Sequence, residues 1–452
     1  MIETLYQLGE YSSLNTEETL VEDPRSQKVI EILFNRSGND LNYVSSQLQD
    51  LKEPIEQYGY SERNGTAINH SPSARFGKND GNEKKIQSRF IDWFDNHPGE
   101  LSDQIKNELT KNNVVEDIIS GMKNIGQYES YLVYAAIQED GRKKYPLDIA
   151  EFNNAIWQPF DDMFTKAKKG VCTVCGKEKK VTGDFKPYKF TTFDKIGNIS
   201  DMKEKNKTRM FPVCRECALT MLKGKKFVDN YCDYRLCGMR VKIIPKPLTT
   251  DYEEIISFMK QATSTISSRQ EKINQLHQKK AQYTRSNLDK IERLTDYEYT
   301  LLDEIEERED TFTVDMLFYE LDNAKMNILA NIKNVAPSRI QEVLIAKQMI
   351  DQTNILGRGY YLNDLLNLLG NKSKDKTNRE KSRKLFLTYL QAILLSKHID
   401  ERTFLQHIMR KVREDMYNEK TANKKNRFQE QFYWTMRSAL ASKVFLEQLR
   451  VL

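Results

Sequence analysis

No hydrophobic run in the 452-residue chain approaches the length of a membrane span, which argues against a membrane protein. The opening Met1-Ile2-Glu3-Thr4 lacks the basic and apolar regions of a secretion signal, so a cytoplasmic location is expected. Charge of one sign is also missing. With 70 Lys+Arg against 65 Asp+Glu the formal net charge is only +5, so any nucleic-acid surface must be local. Histidine is scarce. The five (His70, His97, His277, His398 and His407) are scattered, none lies beside a cysteine pair, and surface or capping roles are expected. No G-x4-G-K-[ST] phosphate loop, G-x-S-x-G elbow or H-E-x2-H helix occurs. The carboxylate pair Asp161-Asp162 lacks preceding glycines, and Glu304, Glu306, Glu307 and Glu309 read as a solvated helix end. A nuclease built from dispersed acids would escape this search, but the expectation is no enzymatic activity.

Two cysteine pairs are present. Cys172-x2-Cys175 faces Cys214-x2-Cys217 across 38 residues, the arrangement that closes a four-thiolate shell around tetrahedral zinc. Gly176 suits the tight turn that follows the first pair. Disulfide pairing is the competing use of these residues, a redox C-x2-C needs only one such motif, and an iron–sulfur cluster takes the same four ligands. Zinc is the expected ion, in a structural role, because an all-cysteine shell leaves no position for an activated water. The remaining cysteines, Cys232 and Cys237, are expected to be buried packing residues. Six cysteines, four of them in metal spacing, fit a reducing compartment.

The periodicities predict an α+β fold. Ile2, Leu5, Tyr6 and Leu8 start a short amphipathic helix, 28–34 reads as strand or helix, and Leu41, Val44, Leu48, Leu51 and Ile55 are spaced for one helix face. Residues 58–82, dense in Gly, Asn and Ser, read as a loop. Its Arg63, Asn64, Asn69, Arg75 and Lys78 suit contact with a nucleic-acid backbone, and a mobile surface loop is the plainer alternative. Residues 84–168 read as helical, except that 128–137 suits either strand or helix.

A zinc-finger insertion is expected at about 168–232, with a strand over 188–195 and a basic lead of Lys205, Lys207 and Arg209 into the second cysteine pair. Residues 238–245 predict a strand ended by Pro245-Lys246-Pro247. A helical hairpin at about 251–308 would then be inserted before a strand at 312–318 that pairs with it. Residues 331–339 mark a break, with Ser338 as helix cap, so an N-terminal α+β domain over 1–337 precedes a C-terminal helical bundle over 338–452. Two basic belts lie on that bundle. One is a polar turn over 370–384 with Lys372, Lys374, Lys376, Lys381, Arg383 and Lys384; the other includes Arg410, Lys411, Lys424, Lys425 and Arg427. They suit a phosphate-tracking groove, or simply wet helix faces.

Four segments carry a family resemblance: the opening M-I-E-T-L-Y-Q-L-G-E, the N-G-T-A-I-N-H-S-P-S-A-R-F loop, the zinc segment with its F-D-K centre and F-P-V-C-R-E-C-A end, and N-I-K-N-V-A-P-S-R. The chain resembles the large subunit of the type I-B CRISPR Cascade complex. The resemblance implies a non-catalytic protein that holds the crRNA 5′ handle, recognises the PAM in target double-stranded DNA, promotes R-loop formation and recruits a separate helicase-nuclease. Its implied partners are the backbone, handle-binding and small subunits of Cascade. The C-terminal bundle would resemble the small subunit. Two alternatives remain: a metal-dependent nuclease, or a structural zinc protein with protein partners only.

Overall fold

The structure is a computed structural model that describes residues 2–62, 68–77, 80, 83–123, 130–188, 204–278, 302, 304–305, 309–322, 325–370, 376–421 and 425–452. It is a mixed α+β protein that divides into two compact units, one of residues 13–223 with 323–325, the other of 1–12, 224–322 and 326–452. Among the described residues no helix is long and apolar enough to cross a membrane.

The unit of residues 13–223 opens on a sheet of β1 (Lys28–Ser37), β2 (Asp40–Asp50), β3 (Ser73–Gly77), β4 (Ser130–Glu139) and β5 (Arg142–Lys144). The strand order is β2-β1-β4-β3, with β5 on β4; β1 and β4 run parallel and the other pairs antiparallel. Central β4 is buried along its first eight residues, so its sequence is a continuous apolar run rather than an alternation. One sheet face packs Ile30, Ile32, Phe34, Phe76, Val133 and Ala135 on helical side chains. These come from α2 (in three consecutive pieces, Glu83–Ile86, Gln87–Ile91 and Asp92–Asn96), α3 (Glu100–Lys111), α4 (Val114–Lys123) and α5 (Ala150–Thr165). The opposite face carries a smaller tyrosine cluster of Tyr58, Tyr60 and Tyr134 around Glu31, whose buried carboxylate accepts from Tyr134 Oη at 2.6 Å and Lys143 Nζ at 2.7 Å.

Three expectations for this unit need correcting. The helix expected across 42–58 is the edge strand β2, with a short turn of helix at Ile55–Tyr58. Apolar residues three and four apart imitated a helix face, but in the strand Leu41 is buried while Val44 and Leu48 stay 52% and 39% exposed. The polar loop contains β3, whose Ala74 and Phe76 point into the core while Arg75 faces out. The helical reading of 84–168 fails at β5, which pairs with the end of β4, while the stretch 128–137, open to strand or helix, is resolved as strand by its place in the middle of the sheet. The expected strand at 188–195 lies outside the described residues, apart from Tyr188.

The second unit contains the sheet β12-β11-β10-β9, from β9 (Asp233–Leu236), β10 (Met239–Pro247), β11 (Phe312–Asp322) and β12 (Lys325–Val335). The anticipated pairing of β10 with β11 is present and antiparallel. Strand β10 runs past Pro245 to Pro247, because β9 pairs only with Met239–Lys242 and leaves the proline nitrogens on an unpaired edge. Between β10 and β11, after α6 (Arg215–Tyr231), runs α7 (Tyr252–Gln278), the inbound arm of the anticipated hairpin, burying Ile255, Met259 and Ala262. The return arm falls largely outside the described residues, though Leu302 and Ile305 are buried.

The break expected over 331–339 is also displaced. β12 continues through Val335, and Pro337 takes the first position of α8 (Pro337–Gln352), where its missing N–H costs nothing. Ser338 is not the cap; Asp310 is, accepting from Ser338 N–H at 2.9 Å and its hydroxyl at 2.7 Å. The chain then continues through α9 (Leu362–Leu368), α10 (Lys376–Leu394), α11 (Glu401–Thr421) and α12 (Lys425–Gln448), a helical C-terminal region. Part of the supposed polar turn over 370–384 is the first half of α10, whose Ser382, Phe386 and Leu390 are buried.

Candidate metal centre and basic surfaces

The four cysteines come together. They sit on a three-stranded sheet of β6 (Lys168–Val171), β7 (Glu178–Thr182) and β8 (Val213–Cys214), and on α6 (Arg215–Tyr231). Cys172 and Cys175 occupy the turn between β6 and β7; Cys214 ends β8, and Cys217 lies in the first turn of α6. All four sulfurs lie within 4.8 Å of one another, and none is in a disulfide. A tetrahedron of sulfurs about 2.3 Å from a central ion has edges of about 3.8 Å, so the cluster is close to the size a single ion requires. Cys172, Cys214 and Cys217 are buried and Cys175 is half-buried.

The turn is built for this geometry. Gly176 sits at φ +68°, and its N–H donates to Cys172 O at 2.9 Å, closing the first knuckle. Cys172 N–H donates to Lys177 O at 3.0 Å, and Thr173 N–H donates to Pro212 O at 2.8 Å, tying the knuckle to the approach to β8. Cys214 N–H donates to Cys172 Sγ at 3.4 Å. Burial pushes the Cys172 thiol up, but the backbone N–H groups of Cys175, Cys214 and Val174 outweigh it and bring its pKa to about 7. Burial pushes the thiols of Cys214 and Cys217 up. The start of α6 opposes that rise, since a helix N-terminus favours a thiolate. Four sulfur donors with backbone N–H groups directed at one of them suit a soft divalent ion, which would offset the cost of keeping four thiolates together.

Charged side chains frame the site. Lys179 is ion-paired with Glu216. Arg215, between the two cysteines of the second pair, binds Asp161 at 2.7 Å and lies over the Phe160 ring at 5.5 Å. Asp161 of the carboxylate pair is thus a clamp between α5 and α6. The sequence had no signal for this, because the partners are far apart in the chain. Cys232 and Cys237 are both buried and belong to the other unit, and burial pushes the Cys232 thiol up.

Most of the expected nucleic-acid contacts fall outside the described side chains. Arg63, Asn64, Lys78, Lys372, Lys374 and Lys424 lie outside the described residues; Lys205, Lys207, Lys376, Lys425 and Arg427 are described by backbone alone. Asn69 is a brace within the loop, its amide donating to Ser73 O at 2.9 Å. Arg75 is exposed on β3, and Arg209 is exposed just before β8. Lys381 and Lys384 are exposed on α10, whereas Arg383 is ion-paired with Glu320 at 2.9 Å. In the second belt, Lys411 is paired with the buried Asp415, and Arg410 reaches Glu414 at 4.0 Å. His97 stacks on Trp93 and meets its carbonyl at 3.0 Å, closing the end of α2, and His398 is exposed, as expected; His407 is neither surface nor cap, being half-buried within α11 against Tyr389.

An α+β chain with a four-thiolate cluster between its N-terminal sheet and a helical C-terminal region is the class that these features define. Three family models match it in order: the N-terminal domain of CRISPR-associated protein TM1802 over residues 1–158, the central domain over 169–335 and the C-terminal domain over 360–452. The chain belongs to the CRISPR-associated TM1802 family. No curated protein matches the chain closely enough to count as a relative. Membership makes it a component of a Cas effector complex, working with other Cas proteins and nucleic acids.

Proposed function

We propose that this chain is the non-catalytic large subunit of a type I-B CRISPR Cascade complex. In this reading it binds the crRNA 5′ handle region, recognises the PAM in target duplex DNA, promotes R-loop formation and recruits a separate helicase-nuclease. The observation that carries the proposal is the ordered match of all three TM1802 domains along the chain. In RNA-guided systems pairing reads the sequence, while protein reads a short PAM and the backbone, a role that local basic contacts would serve. The loop carrying Asn69 and Arg75 is the first candidate for those contacts, and the finger region, with the approach to its second cysteine pair at Arg209, is the second. Zinc is the ion proposed for the cysteine cluster, bound by Cys172, Cys175, Cys214 and Cys217 in a structural role.

The test uses the chain assembled with its guide RNA and Cascade partners. Duplex bearing a PAM should bind far more tightly than duplex lacking one, and neither should be cut in Mg²⁺ or Mn²⁺ without the helicase-nuclease. Equal binding of the two duplexes would remove the PAM role. Cleavage abolished by one acidic substitution would establish a nuclease instead.

A further inference from the structure

The hairpin that carries the first cysteine pair has an inner and an outer face. On the inner face Gly170 packs on buried Val181, so closely that a Cβ at Gly170 would come within 2.9 Å of it. The outer face carries Lys169 and Val171 from β6 with Glu178 and Lys180 from β7, all exposed; Val171 is 60% exposed. The register sets Lys169 directly opposite Lys180. Side chains paired this way start about 5 Å apart, and like charges there destabilise the hairpin. The one acid on this face, Glu178, is opposite Val171 instead. Among the described residues neither lysine has an ion-pair partner, whereas Lys179 on the inner face is paired with Glu216.

We infer that the outer face of the β6–β7 hairpin is a phosphodiester-binding surface, with Lys169 and Lys180 together clasping the backbone phosphates of a nucleic acid. A phosphate has two non-bridging oxygens, one for each ammonium, and would turn their repulsion into a bridge. Lysine is depleted from protein–protein interfaces, so a bare lysine pair fits a polyanion better than a protein. The cysteine knuckle at the hairpin's turn would hold the two strands in register. The inference rests on the nucleic-acid role proposed above and adds to it a surface that the cysteine and loop motifs do not include.

The full-length chain tests it, with Lys169→Glu and Lys180→Glu as variants. Each exchanges a cross-strand repulsion for an attraction, so the melting temperature should hold or rise and metal content should not change. Binding is read by fluorescence anisotropy across a salt series, with guide-handle RNA in one arm and duplex DNA in the other. In at least one arm, each variant should lose about tenfold in affinity at low salt, and the log–log salt slope should fall by about 1. The arm that responds identifies whether guide or target lies on the hairpin. Unchanged affinity and slope in both arms overturn the inference while leaving the Cascade reading intact, as does loss of binding confined to an acidic polypeptide probe. A wild-type chain that binds neither nucleic acid overturns both.

Discussion

Gly224, in the middle of α6, is where α1 (Ile2–Tyr11) crosses with no room for a side chain. A Cβ there would lie 1.8 Å from Leu5 O, 2.7 Å from Leu5 C and 3.0 Å from Gly9 N. All three are backbone atoms, so no rotamer change relieves the contact. The substitution Gly224→Ala sets two effects against each other. Alanine improves helix propensity by about 1 kcal/mol. Restoring ordinary contact means moving α1 away, which uncovers Leu5 and Leu8, both 0% exposed. Their burial contributes about 1.5–3 kcal/mol each, partly offset by the backbone entropy that a released α1 regains. The clash should win, with a net loss of about 2–4 kcal/mol. Equilibrium denaturation measures the loss, and limited proteolysis should show cleavage within the first dozen residues of the variant. A Gly224→Ala chain as stable as the parent, with α1 still protected, would refute the close crossing.

Two further predictions concern buried charge. Lys242 is 3% exposed and bridges Asp229 at 2.6 Å and Asp233 at 3.3 Å, so Lys242→Met removes the ion pair of Asp233 and leaves Asp229 with Lys225 (2.6 Å), and should cost about 1.5–3 kcal/mol in denaturant. Replacing Asp233 by Asn in the same chain should recover most of that loss; no recovery would contradict the network. His407 has its pKa lowered, by burial first and by Arg410 second, and its Nδ1 meets Tyr389 Oη at 3.0 Å. The unfolded chain therefore binds the proton more readily, so this histidine's contribution is complete above pH 6.5 and lost as the pH falls toward its depressed value. Melting temperatures should drop on acidification through that window, and His407→Gln should flatten the drop. An unaltered profile in the variant would assign the acid sensitivity to other groups.

The cysteine cluster was legible because metal ligation imposes spacing on sequence: two C-x2-C pairs suffice wherever the chain takes them. The β10–β11 pairing was legible for a similar reason, since Phe312, Val314 and Met316 alternate and bury one sheet face. Strand β2 was not, because an edge strand buries little and its apolar spacing is free to imitate a helix. β3 was hidden by its neighbours: five residues, Ser73–Gly77, pair with β4 inside a stretch whose composition is that of a loop. The cap of α8 could not be read locally, since Asp310 comes from before β11. Charge was the least legible property. Lys411 and Arg383 look alike in sequence to Lys381 and Lys384, yet the first two are held in ion pairs and the others face solvent. Net positive runs mark where cations are, and only the partners decide which remain available.

The metal content of the purified full-length chain, by elemental analysis, tests the centre of the account. One zinc per chain is predicted, falling to near zero in Cys214→Ser together with ordered structure around β6–β8. A wild-type chain that is well folded and free of metal would contradict it.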